Sequence, residues 1–195
     1  MWNERYDQPE YVYGTEPNEF LVSVADKIPV GRLLSLGEGE GRNAVFLAGK
    51  GHSVVAVDAS DVGLEKANKL ALTRGVKITT LTADLAEFTI EPVQWDGIIS
   101  IFCHLVPPVR KKLYHSVVAG LKPGGIFILE SYTPRQLEYN TGGPKTIDLL
   151  LSLDDAKQDL EGLEFLHAAE RERPVKEGLL HTGPAHVLQI VGLKR

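Results

Sequence analysis

The sequence predicts an α/β protein with one doubly wound, Rossmann-like sheet and helices on both faces, and three observations predict it. Short β-rich apolar runs alternate with stretches of helical periodicity along most of the chain. A glycine-rich turn, "LGEGEGRN", hands the first apolar run to the first helix. Two strand-like runs close the chain with no helix between them, which adds an antiparallel hairpin to an otherwise parallel sheet.

Taken in order, Leu33–Leu36 is the first predicted strand and Gly41–Lys50 the first helix, closed by Gly51. Ser53–Val57 is the second strand, ending at Asp58. Leu64, Ala67 and Ala71 repeat at helical spacing, with Ser60 or Asp61 as cap and Gly75 as stop. Val76–Thr82 predicts the third strand, and "WDGIISIFC" at 95–103 the fourth, apolar enough to be buried on both faces. Pro107 and Pro108 suit a first helical turn; Leu113, Val117 and Leu121 line one face of that helix, and "KPGG" at 122–125 ends it. Ile126–Glu130 is the fifth strand, and "NTGGPKT" at 140–146 is a loop before a helix around 153–160. Runs near 163–173 and 185–193 make the final hairpin, for seven strands in all. The first sixteen residues, rich in aromatics and charge, read as an arm or lid on a single domain spanning 1–195.

Composition narrows the function. The 195 residues are 43% hydrophobic and 24% charged, with a formal net charge of -5. That balance offers no general attraction to nucleic acid or to an anionic membrane, since both need a positive footprint. Cys103 is the single cysteine, so neither an internal disulfide nor a cysteine-rich metal site can form, and no metal site is expected. Early acids leave no room for an apolar signal core, and no stretch approaches the ~20 apolar residues of a membrane span. The expectation is a cytoplasmic protein with a small-molecule substrate; oligomeric state has no signature in the sequence.

The glycines carry the chemistry. Gly37, Gly39 and Gly41 stand two apart, where a backbone without Cβ atoms lets a nucleotide-like ligand approach. The dinucleotide fingerprint G-x-G-x-x-G would put its third glycine at Arg42, so the form here is G-x-G-x-G. Asp58, nineteen residues after Gly39, ends "SVVAVD", where a carboxylate can accept from both hydroxyls of a ribose. Its structural alternative is a helix cap, a task open to Ser60 and Asp61. Asp84 in "LTADLAEF" can accept from an adenine amino group while the Leu85 N–H serves a ring nitrogen; a solvated turn aspartate is the plain alternative.

"WNERY", "EYVYGTEPNEFL", "LSLGEGEGRNAVFLA", "AVDAS", "ADL", "LKPGGIFILE" and "NTGGP" together carry a resemblance that covers the whole chain. On them it resembles the class I S-adenosylmethionine-dependent methyltransferases, and is most similar to the tellurite-resistance type. The resemblance implies sheet order 3-2-1-4-5-7-6 with the last-numbered strand antiparallel. It also implies S-adenosylmethionine as cofactor, held by Trp2 and Arg5 of the arm, by Gly37, Glu38, Gly39, Gly41 and Asn43, by Asp58, Ala59 and Ser60, by Asp84 and Leu85, and by Ile101. One departure stands out. Ser35 occupies the place of an acid usual two residues before the first glycine, and Glu38 a place commonly cysteine.

On the acceptor side, His104 ends the fourth strand and His181 lies near the turn of the hairpin; both are candidate catalytic residues, set against roles as a strand-end polar group and an exposed turn histidine. Cys103 should face away from His104 and pack in the core. His181 and His186 are an odd number of residues apart and would face opposite ways on one strand. "CHLVPP" is unlike the Asn/Asp-Pro-Pro-Tyr/Phe motif of many nitrogen methyltransferases, and a sulfonium methyl donor needs little base catalysis toward a thiolate or chalcogen anion. The reading is therefore methyl transfer to a small molecule, with a soft sulfur, selenium or tellurium acceptor favoured. An NAD-dependent oxidoreductase, a non-catalytic cofactor-binding protein and an aminopropyl transferase are the alternatives.

Overall fold

The computed structural model describes residues 2–139, 141–178 and 181–195, apart from the His181 side chain. Seven strands form one sheet: β1 (Arg32–Leu36), β2 (Ser53–Asp58), β3 (Thr79–Thr82), β4 (Trp95–Ile101), β5 (Leu121–Tyr132), β6 (Leu163–Glu177) and β7 (His181–Lys194). Their order is β3-β2-β1-β4-β5-β7-β6, as expected. Neighbours from β3 to β5 run parallel, while β7 is antiparallel to both β5 and β6. The helices are α1 (Trp2–Tyr6), α2 (Glu19–Val24), α3 (Arg42–Gly49), α4 (Asp61–Thr73), α5 (Pro107–Gly120) and α6 (Leu153–Asp159).

Successive strand residues feed two separate cores, as a two-residue repeat requires. Leu34, Leu36, Ile98, Phe127 and Leu129 pack with Leu113, Tyr114 and Val117 of α5 and Ala156 of α6. Leu33, Val54, Ala56, Ile99 and Ile128 turn the other way, onto Phe20 and Leu21 of α2, Ala44 and Leu47 of α3 and Leu64 of α4. Fully burying each large apolar side chain contributes about 1.5–3 kcal/mol, which makes this double-sided sheet a rigid platform. β1 pairs with both β2 and β4, so the chain reverses its winding at the carboxyl end of β1, where open α/β sheets bind ligands.

Several element ends differ from the sequence reading, for identifiable reasons. β4 stops at Ile101 because Phe102 adopts φ 50, in the left-handed region that breaks a strand. "KPGG" belongs to β5 rather than to a helix stop: pairing skips from Trp95↔Leu121 to Gly97↔Ile126, and the four residues form the irregularity. β3 is short because residues 76–78 lie outside the pairing with β2. The hairpin is longer at its tip end, with pairing that reaches Glu177↔His181. Within the arm, α1 was not anticipated, and Tyr6 and Val12 are buried rather than peripheral. α2 was not anticipated either; Asn18 caps it by accepting from the Leu21 N–H at 2.9 Å.

A buried polar network joins these parts at the carboxyl edge. Glu130, at the end of β5, is fully buried and accepts from Arg173 at 2.6 and 2.9 Å, from Gln189 at 2.6 Å and from Asn18 at 2.6 Å. Glu177 accepts from Asn18 at 2.7 Å and from Arg42 of α3 at 2.6 Å. Asn18 therefore ties the chain entering α2 to β5 and to the hairpin. Arg173→Met leaves Glu130 buried without its cation and should destabilise by about 3–5 kcal/mol in urea unfolding. A loss under about 1 kcal/mol, the scale of a surface pair, would show that the network carries no stability.

Candidate active site

The glycine loop follows β1 and turns sharply into α3. Gly37 and Gly39 have φ 63 and 62, a region that penalises any side chain. Space forbids one as well: a Cβ on Gly37 would lie 2.6 Å from the Cys103 Sγ, and one on Gly39 would lie 2.6 Å from the Tyr6 hydroxyl. Gly41 is the N-cap residue of α3. Glu38 solves the problem of the helix start. Its Oε1 accepts from the N–H groups of Asn43 at 3.0 Å and Ala44 at 2.9 Å, while the Ser35 hydroxyl donates to Oε2. Burial still pushes the Glu38 carboxyl upward, with the helix N–H groups and Ser35 working against it. Glu38 thus serves the loop and the helix start, with Ser35 as its hydroxyl partner. Asn43 likewise turns inward, its Oδ1 accepting from the Asn18 N–H at 3.0 Å.

Asp58 fastens this loop to β2. One carboxylate oxygen accepts from the Gly39 N–H at 2.8 Å and the other from the Ser60 N–H at 2.8 Å. The helix-cap alternative for Asp58 is settled by Ser60, whose hydroxyl accepts from Gly63 as the N-cap of α4. Burial raises the Asp58 carboxyl, opposed by the backbone N–H groups that hold it. Ala59 is exposed between the two. Asp84 joins the same edge because the Ala83 N–H donates to the Asp58 carbonyl at 2.9 Å. Its own carboxylate is exposed and accepts from the Ala86 N–H at 2.9 Å, so it also shapes a turn; Leu85 beside it is buried. Ile101, at the end of β4, is 7% exposed and packs in the core on the α3 side.

The arm lies across this edge. Asn3 accepts from the Ser60 hydroxyl at 2.6 Å and donates to Asp61 at 2.8 Å, docking α1 on the start of α4. Tyr6 is 5% exposed, with its hydroxyl above Gly39; burial, and then the charge of Asp58, push that phenol upward and keep it a proton donor. Trp2 stacks on Tyr6 with centroids 5.8 Å apart, and Arg5 sits 4.8 Å over Trp2 and donates to the Tyr13 hydroxyl at 3.0 Å. The structure therefore brings Trp2, Arg5, the glycine loop, Asp58, Ser60 and Asp84 to one edge.

Across the loop, the His104 ring stacks on Tyr132 at 5.6 Å, and Phe102 lies 4.6 Å from Tyr132. "TGGP" covers that ring: a Cβ on Gly143 would fall 2.7 Å from Tyr132 Cδ2. The loop is more than a connector, since Gln136 donates to the Gly142 carbonyl at 3.2 Å and Thr141 to the Pro184 carbonyl at 2.5 Å. The Cys103 thiol is pushed up to about 12, chiefly by burial, and so packs as a neutral group. His181's side chain falls outside the described residues. Sequence reasoning weighed His186 only for its spacing from His181; His186 is 5% exposed. Its Nε2 lies 3.1 Å from an Arg135 nitrogen, which can only donate, so Nδ1 carries the proton, 2.6 Å from the Thr133 hydroxyl. Among the described residues no group of three or more His, Cys, Asp or Glu is placed to hold a metal ion.

The sheet order and the helices on both faces are those of the class I methyltransferase fold. The chain has that fold, and residues 33–125 match the family model described as a methyltransferase domain. Over 143 residues the chain is 27% identical to the 2-heptyl-1-hydroxyquinolin-4(1H)-one methyltransferase of Mycobacteroides abscessus, covering 72% of this chain and 63% of that relative. Among solved structures, one described for the conversion of a disulfide bond into a thioacetal group during echinomycin biosynthesis has TM-score 0.79 at 18% identity, covering 98% of this chain and 87% of its own. TehB from Haemophilus influenzae has TM-score 0.71 at 18% identity, covering all of this chain and 66% of its own. S-adenosylmethionine is the cofactor that this domain implies.

The residues present fit that cofactor. The Asp58 carboxylate, held by the backbone N–H groups of Gly39, Ser60 and Ala59, keeps acceptor capacity beyond those partners, and the Tyr6 hydroxyl stands over Gly39 beside it. Asp58→Ala should weaken binding of S-adenosylhomocysteine by about 1.5–3 kcal/mol in calorimetry. Since the carboxylate also holds the loop, the melting temperature should fall, contrary to what a mere strand-end position would suggest. Protonation removes acceptor capacity, so affinity should drop as pH falls through the raised Asp58 pKa, a limb absent from Asp58→Asn. Unchanged affinity in both variants would remove Asp58 from the site.

Proposed function

We propose that this protein transfers the methyl group of S-adenosylmethionine to a small-molecule acceptor, with the arm as a lid over the cofactor. The supporting observation is the Gly39–Asp58 tie, roofed by Tyr6, at the point where the sheet reverses its winding. The cofactor supplies a methyl group already activated on a sulfonium. The chain's work is then positioning, worth roughly 7–11 kcal/mol at ideal geometry, and exclusion of water. Asp58 serves the ribose, Asp84 and the Leu85 N–H the adenine, and Arg5 the carboxylate; Trp2 and Tyr6 close over the cation. Glu38 and Asn43 act on the loop rather than on the ligand. A single, half-buried Cys103 fits a reducing cytoplasm.

For the acceptor we propose a soft sulfur or chalcogen nucleophile, which needs orientation more than a base. The Phe102–Tyr132–His104 ring stack favours a second reading, a flat hydroxylated heteroaromatic. The named relative's quinolone substrate is of that kind. Labelled methyl transfer to a thiol, selenite, tellurite, a phenol and an N-hydroxyquinolone across pH 6–9 separates them. Thiol or chalcogen turnover that His104→Ala lowers only modestly supports the first. Heteroaromatic turnover that falls about 10²–10⁴-fold in that variant supports the second and makes His104 a base. Tight NAD binding with no binding of S-adenosylmethionine would overturn both.

A further inference from the structure

Lys66 lies on α4 and is 8% exposed, an unusual place for a lysine unless it is matched. Its ammonium meets the carbonyls of Tyr6 at 3.3 Å, Gln8 at 3.0 Å and Glu10 at 2.6 Å, three arm residues in alternation. It also pairs with Glu40 of the glycine loop at 2.5 Å and sits 5.0 Å from the Tyr11 ring centroid. The Tyr11 hydroxyl returns the contact by donating to the Lys66 carbonyl at 3.0 Å, and Glu40 accepts the Tyr13 N–H at 3.3 Å. Apolar packing is thin at this point, because a cavity of about 450 Å³ opens between arm residues 6–11 and α4. One ammonium thus gathers the arm backbone and the counter-charge of the cofactor loop.

We infer that Lys66 is a positioning residue for the cofactor: it clasps the arm so that the Tyr6 hydroxyl stands over Gly39, with Glu40 as the counter-charge that makes arm closure and loop shape one event. The inference rests on the cofactor reading above and names how its lid is held. The geometry is direct, since Lys66 holds the carbonyl of the same residue whose hydroxyl lies above the loop. Removing the charge leaves Glu40 and three carbonyls facing a neutral group, and the arm then has reason to leave.

The test combines hydrogen exchange, calorimetry and melting on the full chain with Lys66→Met, Tyr6→Phe and the double variant. Lys66→Met should speed amide exchange in residues 2–13 at least tenfold while strands β1, β4 and β5 keep their protection. Its Kd for S-adenosylhomocysteine should rise roughly tenfold or more, the effect of losing charge-assisted hydrogen bonds. The losses in Lys66→Met and Tyr6→Phe should be less than additive, which a general brace of α4 would not produce. Should Lys66→Met not fold, Glu40→Gln, which keeps the carbonyl contacts, should show the same changes at smaller size. Unchanged arm exchange, or a Kd within twofold of wild type in the folded variants, overturns the clasp. If the wild-type protein does not bind S-adenosylhomocysteine, the cofactor reading fails instead, and arm exchange alone decides whether Lys66 holds the arm.

Discussion

Five carboxylates lie buried along the carboxyl edge of the sheet, and the assembly of that edge depends on each one being matched. Glu38, Glu40, Asp58, Glu130 and Glu177 are all at most 8% exposed. A buried, unmatched carboxylate costs far more than a domain can spare, so each dictates a partner. Glu38 takes the free N–H groups of α3, Asp58 those of Gly39 and Ser60, and Glu40 takes Lys66. Glu130 and Glu177 share Arg173, Arg42 and Asn18. The partners come from the arm, the loop, the sheet and the hairpin. Matching the acids therefore assembles the site.

That arrangement explains why a rigid two-core sheet carries a site made of strained or adjustable parts. Phe102 is one of two non-glycine residues with positive φ among the described residues, and it turns the chain just where β4 reaches the site. Such a conformation costs about 1–3 kcal/mol and persists where the surroundings over-determine it. Here the Phe102 N–H donates to the Glu130 carbonyl at 2.8 Å, and its ring packs on Tyr132. The strain sets Phe102 and His104 beside Tyr132.

Much of this was legible in the sequence because periodicity and turn chemistry are local. Alternating strand residues, the glycine turn, the Ser60 cap and the terminal hairpin follow from neighbours a few positions apart. What was not legible depends on distant partners. Lys66 looks like any solvated helix lysine until the arm is folded over it. Glu38 stands in the glycine motif like a ligand contact, yet its carboxylate turns back to cap α3. Asn18 shows only as a polar residue just past the arm, although it caps α2 and bridges two buried acids. α1 is five residues long, and its position comes from Asn3, Tyr6 and Lys66 rather than from helix propensity.

On the reading proposed above, the loop fastened by Asp58 and roofed by the arm holds S-adenosylmethionine. A crystal structure with S-adenosylhomocysteine tests it most directly. In that complex both ribose hydroxyls should lie on the Asp58 carboxylate, the adenine beside Asp84 and Leu85, and the sulfur should turn toward the Phe102–His104 side beneath the arm. A ligand bound elsewhere, with Asp58 touching only its own backbone partners Gly39, Ala59 and Ser60, would contradict it.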